Sequence, residues 1–125
     1  MSVHSIRNEI VDKQMNYINK INRSQVLDLR KEIPIDEDQI NSRTLVQRDD
    51  LGMTLFSVDT GQEMGGHSAT GDAMVNVVSG IAEVTIEGEK YPVSAGQTII
   101  IPANARHSLY DIEAFQMLLV VVKPE

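Results

Sequence analysis

The glycines of this 125-residue chain are confined to its middle. All eight lie between Gly52 and Gly96, and the segments that they separate are short and rich in strand-forming residues. Because glycine marks turns and bulges, this spacing predicts a series of strands of about five to eight residues. Such a series is typical of a β-sandwich or a β-barrel.

The apolar runs between the turn signals predict the individual strands. A first strand is expected at residues 25–29, and residues 33–35 form an edge at best, because Pro34 cannot donate a ladder hydrogen bond. The remaining strands are expected at residues 43–48, 53–58, 74–79, 81–86, 89–93, 98–101, 106–110 and 115–122. The sequence therefore predicts an all-β domain over residues 25–125.

The first 22 or so residues follow a different pattern. Their apolar positions recur near helical spacing, with neither glycine nor proline between them: Val3, Ile6, Ile10, Val11, Met15, Tyr17, Ile18 and Ile21. This pattern predicts an amphipathic helix that ends near residues 19–22, so that residues 1–24 form an N-terminal helical segment ahead of the β domain.

The last predicted strand, residues 115–122, is apolar on both of its faces. A strand of this kind is buried on both sides and needs a cover, which the N-terminal helix or a second subunit can supply. The strand and the helical stripe together present more apolar surface than one small barrel covers. The sequence therefore predicts a homodimer.

Two spaced sets of residues lie in the glycine-rich stretch: Gly61, His67 and Gly80, then Gly96, Pro102 and His107. In residue type and spacing they resemble the two sequence motifs of the cupins. The resemblance implies a double-stranded β-helix, the jelly-roll or cupin barrel, over residues 25–125, with the N-terminal α-helix preceding it. It also implies that His67 and His107 face one pocket inside the barrel.

The first motif departs from the family pattern at two places. Ala69 stands where the second histidine belongs, and Ala73 stands where the glutamate belongs. Two methyl groups in place of an imidazole and a carboxylate leave room for an organic ligand, although the decay of an ancestral metal site would leave the same residues. The expected ligand-binding residues are His67, Ala69, Ala73 and His107.

The same departures leave a metal site short of ligands. Zinc in catalytic sites takes about three protein ligands, and non-haem iron takes two histidines and a carboxylate. Asp72 is the nearest carboxylate to the lost glutamate position, but it reaches the pocket only if a bulge at Gly71 turns it inward. Its alternative role is in a turn. The expected metal ligands are His67, His107 and Asp72, holding a zinc, iron, manganese or nickel ion weakly if at all.

Composition excludes several partners. The formal net charge is −7 and no basic stripe is present, which argues against nucleic acid and anionic membranes as partners. No run approaches the ~20 apolar residues of a membrane span, and no secretory signal is visible. With no cysteine, disulfides and thiolate chemistry are excluded. A cytoplasmic location fits these features best.

Three classes of function follow from the resemblance. The first is a small-molecule-binding cupin of unassigned substrate, with its pocket centred on His67 and His107. The alternative is a metal-dependent cupin enzyme of the dioxygenase, isomerase or decarboxylase type, although no residue can be named as a nucleophile. A storage-like scaffold protein is disfavoured, because the chain has room for only one barrel.

Overall fold

Strands account for nearly all the regular structure in the described part of the chain. The computed structural model describes residues 16–67 and 69–124, and of residues 66 and 67 the backbone alone. The elements in this part of the chain are α1 (Leu29–Glu32), β1 (Ile40–Gln47), β2 (Leu51–Val58), β3 (Glu63–His67), β4 (Asp72–Ile86), β5 (Glu89–Ser94), β6 (Thr98–Ile101) and β7 (His107–Val122). Among the described residues, no helix has the length and apolarity to cross a membrane.

The two longest strands, β4 and β7, pair with each other in antiparallel fashion along most of their length. The first half of β4 and the second half of β7 lie in a layer with β1, β2 and β6. Their other halves lie with β3 and β5. The pairing shifts register between Val77 and Ala82, where the strands pass from one layer to the other. This is the all-β double-stranded β-helix that the sequence predicts.

Two apolar clusters hold the layers in place. The larger one fills the space between the layers, and Val75, Val84 and Phe115 in it are fully buried. The smaller one lies on the outer face of β2 and β7, where Leu55 and Leu118 pack with residues of the N-terminal segment such as Ile33. Residues 16–35 therefore supply part of the cover that the apolar last strand requires.

Polar side chains of the sheet also bind residues 30–34 by donating hydrogen bonds to their backbone carbonyl groups. Gln116 is buried on β7, and its Nε2 donates to the carbonyl oxygens of Arg30 at 2.6 Å and Ile33 at 2.7 Å. Ser57 Oγ donates to the Pro34 carbonyl at 2.8 Å. Arg43 donates to the backbone carbonyl of Glu32 and forms an ion pair with its carboxylate at 3.0 Å. The carbonyl groups at the end of α1 are satisfied by these donors instead of by water.

The predicted strand at residues 25–29 is wrong, and residues 33–35 form no strand. Residues 25–28 are irregular and lead into α1, and residues 33–35 follow that helix without forming a strand. The helix begins here because Asp28 caps it by accepting a hydrogen bond from the Arg30 backbone N–H at 3.1 Å. The same carboxylate also bonds the Arg30 guanidinium, and these contacts lower the pKa of Asp28 to about 2. Local capping therefore prevails over the apolar pattern.

The predicted N-terminal helix lies mainly outside the described residues. Its expected end is described, and residues 16–22 form bends with no helix among them. Lys20 has a φ of 59°, a left-handed conformation that a helix does not accommodate. The helix therefore does not extend to residues 19–22.

The later strands are found where the sequence predicts them, with two differences. Residues 74–79 and 81–86 belong to one strand, β4, and residues 106–110 and 115–122 fall largely within one strand, β7. Strand β3 was missed, because its sequence EMGGH has no apolar run. The breaks that the sequence suggests at Gly80 and near Ala114 are bends within continuous strands.

Gly80 lies where β4 crosses the backbone of β7. Its φ is +72°, and a Cβ added there would lie 2.0 Å from the carbonyl oxygen of Ala114. Gly88, in the β4–β5 turn, has a similar φ of +83° but nothing within 4 Å of an added Cβ. A comparison of alanine replacements at the two positions therefore distinguishes the effect of backbone strain from that of a steric clash.

We predict that Gly80→Ala destabilises the fold by at least ~2 kcal/mol more than Gly88→Ala, because both replacements strain the backbone but only the first forces β4 away from β7. Urea unfolding of the two variants, compared through their midpoints at a shared slope, measures the difference. Equal losses of unfolding free energy in the two variants would show that the close approach of β4 and β7 at Gly80 does not constrain the barrel.

Candidate functional site

A partly enclosed cavity of about 260 Å³ lies between the two layers. Its floor consists of buried side chains from β4, β6 and β7: Ala73, Val75, Ile101, Leu109 and Met117. Its rim consists of half-buried side chains: Phe56, Met64, Ala69, His107, Leu119 and Val121. A buried floor and a half-exposed rim give the shape of a ligand pocket.

The alternation of side chains along the strands builds this cavity. Ala73 and Val75 of β4 are opposed to Val121 and Leu119 of β7, and Ala73 is opposed on its other side to Ile101 of β6. Residues directly opposed across paired strands share a face of the sheet. One set of alternate positions therefore points into the barrel from three neighbouring strands.

His107 begins β7 at the rim of the cavity. Its Nδ1 lies 3.2 Å from the carbonyl oxygen of Ala105. Because a carbonyl oxygen only accepts hydrogen bonds, Nδ1 is the donor where this contact is a hydrogen bond. His107 thus brings to the cavity an imidazole that the Ala105 carbonyl helps to orient.

His67 ends β3, and its backbone is directly opposed to that of His107 in the β3–β7 pairing. Opposed Cα atoms in an antiparallel pair are about 4.5–5.5 Å apart, so the two histidine positions are close neighbours. The register shifts between Met64 and His67, at Gly65 and Gly66. That the two imidazoles share one site stays a prediction.

The structure places Ala69, Ala73 and His107 at the cavity. Asp72 is not among its lining residues. It is exposed at the start of β4, and its Oδ1 accepts a hydrogen bond from the Ala103 backbone N–H at 2.8 Å. The register is regular from Asp72 to Val77, so Asp72 and the cavity-lining Ala73 lie on opposite faces of the sheet. Asp72 joins the start of β4 to the turn before β7, which is the turn role that the sequence offered as its alternative.

Other acidic groups also lie away from the cavity. Glu63 is exposed on β3 and lines, with Arg106, an outer groove that shares His107 with the cavity. Asp111 is buried, but its Oδ1 accepts from the Gly61 backbone N–H at 3.2 Å and so fixes the β2–β3 turn. Within the part of the chain that the structure describes, no three histidine or acidic side chains are grouped as metal ligands would be.

The apolar lining is the part of the site that the motifs do not reveal. Met64 and Met117 lie on the cavity wall, whereas Met53 packs on the outer face and Met74 is exposed. From the sequence alone, all four methionines are expected to fill gaps in the core. The available signal is the alternation along β7, where Met117, Leu119 and Val121 occupy every second position.

Comparison with known families and structures gives a consistent result. The family model of the cupin domain, Cupin_2, matches residues 54–123. A conserved protein of unknown function from Streptococcus pyogenes has 62% sequence identity and a TM-score of 0.87, and the match covers 89% of this chain and 97% of that one. None of the curated proteins compared with the chain matches it.

Two further crystal structures are similar. A Cupin 2 conserved barrel domain protein from Leptotrichia buccalis is 34% identical with a TM-score of 0.75, over 78% of this chain and 47% of that protein, so that the chain spans about half of its length. A cupin superfamily protein from Desulfitobacterium hafniense is 23% identical with a TM-score of 0.82, over 86% of this chain and 98% of that one. At this identity the second match shows the fold alone.

Proposed function

Because the chain belongs to the cupin domain family, we propose that it is a small-molecule-binding protein whose pocket is the cavity beside His107. The observation that carries the proposal is the combination of a cavity of about 260 Å³ with an imidazole at its rim. Small-molecule sites are concave and mostly apolar, with a few placed polar groups. This cavity meets that description.

The replacements in the first motif support the same proposal. Ala69 and Ala73 line the cavity at the positions where the family pattern has a histidine and a glutamate. Their methyl groups take up less space and carry no charge. The volume near His107 therefore suits an organic molecule, and we propose His67, whose backbone is opposed to that of His107, as the second histidine of the pocket.

The described residues do not fit a tightly held metal ion. His67 and His107 supply two imidazoles at most, and Asp72 is turned to the outside, where it bonds Ala103. Two ligands leave a divalent ion mostly to water, whereas zinc sites in proteins use three or four protein ligands. We therefore propose that zinc, iron, manganese or nickel binds weakly if at all.

We predict that His107→Ala and His67→Ala each reduce the thermal shift that a bound metabolite produces, because each removes a polar group from an apolar pocket. Loss of one such hydrogen bond weakens binding by about tenfold. Ser108→Ala is the matched control, since Ser108 is the next residue on β7 and lines the outer groove instead. Differential scanning fluorimetry against a library of polar and apolar metabolites measures the shifts.

A different result would favour the metal-dependent enzyme. If the purified protein carries one equivalent of zinc, iron, manganese or nickel, and both histidine variants lose it, the pocket is a metal site. A library that produces no shift in the unmodified protein would contradict small-molecule binding itself.

We also propose that the protein is a homodimer that uses the outer face of the first layer. Met53, Val120, Met74 and Ile100 form one row across four adjacent strands. Met74 is 38% exposed and Ile100 is 54% exposed, on the edge strand β6. The row continues from the apolar cluster under the N-terminal segment. A second copy would cover this surface together with the edge of β6 that no described strand pairs with.

We predict a dimer mass by light scattering at micromolar concentration and a monomer mass for Ile100→Lys, because a buried lysine without a partner opposes association. Ile112→Lys is the matched control: Ile112 is 49% exposed but lies in the bend of β7, away from β6. A monomer mass for the unmodified protein would refute the dimer, and dissociation by both variants would place the interface elsewhere.

A further inference from the structure

A second groove lies on the outer face of the first layer, between that face and the N-terminal segment. Its volume is about 540 Å³, and its apolar lining consists of Ile18, Ile21, Leu27, Leu29, Leu45, Met53 and Leu118. We propose that residues 3–15 of the same chain bind in this groove as an amphipathic helix. The groove is then an interaction surface whose partner is a segment of the chain itself, and this inference goes beyond the proposed ligand binding.

The apolar side chains of the groove come from two parts of the chain. Leu45, Met53 and Leu118 belong to β1, β2 and β7, which are neighbours in the first layer. The others belong to the N-terminal segment that packs on this face. Met53 and Leu118 are only half-buried, as are Ile21 and Leu29. A contiguous apolar patch that stays partly exposed marks an interaction site.

Hydrogen bonds hold the start of the described chain beside the groove. The backbone N–H of Asn19 donates to the carbonyl oxygen of Leu45 at 2.8 Å. Arg23 lines the groove, and its Nη2 donates to Asn16 Oδ1 at 3.0 Å and to the Ile18 carbonyl at 3.1 Å. Three residues extend at most about 10 Å, so Asn16 is within that distance of Asn19. The residues that precede Asn16 therefore begin next to the groove.

This attachment favours the groove of the same chain over that of another molecule. A segment joined to its site by a short linker is present there at an effective concentration in the millimolar range. In a micromolar solution, a groove on a free second copy is offered at a far lower concentration. Weak apolar contacts are therefore sufficient to dock residues 3–15 within their own chain.

The sequence of residues 3–15 suits this groove in pattern and size. Its apolar residues recur near helical spacing: Val3, Ile6, Ile10, Val11 and Met15. In a helix, Ser5 and Asp12 lie on the opposite side from Ile10 and face water. A helix of this length is about 20 Å long and about 10 Å wide, and three neighbouring strands also span about 10 Å.

The volume of the groove agrees with this occupant. An apolar cavity of about 150 Å³ accommodates benzene, which has six non-hydrogen atoms. At the same volume per atom, a groove of about 540 Å³ accommodates about 20 non-hydrogen atoms. Four or five aliphatic side chains supply about that number, as residues 3–15 do.

The docked helix would cover β7 on the face that is opposite the cavity. Leu118 lies between Met117 and Leu119, and these two residues line the cavity. Consecutive residues of a strand point to opposite faces of the sheet. One stretch of β7 thus has the cavity on one face and the helix on the other, which completes the cover that a strand apolar on both faces requires.

The test uses the full chain, which contains no cysteine, so that one introduced thiol reports on one position. Leu27→Cys places the thiol in the groove, and Ala95→Cys places it in an exposed turn outside the groove. We expect Ile10→Glu to raise the rate of thiol labelling at position 27 at least fivefold, because the charge opposes docking. The rate at position 95 should not change.

Ser5→Glu is the matched control, since it adds the same charge to the opposite side of the helix. It should leave the labelling rate at position 27 unchanged. Ile10→Glu should also lower the urea midpoint of unfolding, and Ser5→Glu should not, because glutamate is a good helix former at either position. Equal labelling rates at position 27 with and without Ile10→Glu would overturn the proposal, since residues 3–15 then do not cover the groove.

Light scattering distinguishes the groove of the same chain from that of a second copy. Docking within one chain predicts that Ile10→Glu and the unmodified protein have the same mass at micromolar concentration. A fall from a dimer mass to a monomer mass, with faster labelling at position 27, would show that the helix docks on a second copy and would overturn the assignment to its own chain. These measurements need no small molecule, so their failure is separate from failure of the proposed function.

Discussion

The antiparallel pairing of β4 with β7 is the constraint on which the rest of the structure depends. Both strands cross from one layer to the other, so their register sets at once the core between the layers and the walls of the cavity. The pairing brings the two backbones close together at Gly71, just before β4, and at Gly80, within the crossing. An added Cβ there would lie 2.2 Å and 2.0 Å, respectively, from carbonyl oxygens of β7. His107, Leu109 and Met117 reach the cavity because this register points them inward.

The outer face of β7 and of its neighbours β2 and β1 holds the N-terminal segment. Gln116, Ser57 and Arg43 are polar residues on a surface that is otherwise apolar, and each donates to a backbone carbonyl of residues 30–34. Buried carbonyl groups without partners would oppose the packing of this segment on the sheet. The apolar cluster and these donors together attach the N-terminal segment, and among the residues that the structure describes none covers Ile100 of β6 fully.

The sequence predicts the barrel better than it predicts what surrounds it. Residues 98–101 form the strand expected of them, because turn residues bound an apolar run on both sides. Residues 25–29 do not, because Asp28 caps α1 locally and because Gln116, which is distant in the chain, binds the backbone at Arg30. At the site, the motifs place Ala73 and His107 near one another. The apolar lining follows from how two layers face each other, which no local pattern contains.

The proposal that a small molecule binds in the cavity beside His107 can be tested by long-range proton–nitrogen spectra of histidine-labelled protein. A metabolite that stabilises the protein in the fluorimetry screen should shift the ring resonances of His107 as it is added. Saturation by that metabolite with the His107 resonances unaltered would contradict binding at this cavity.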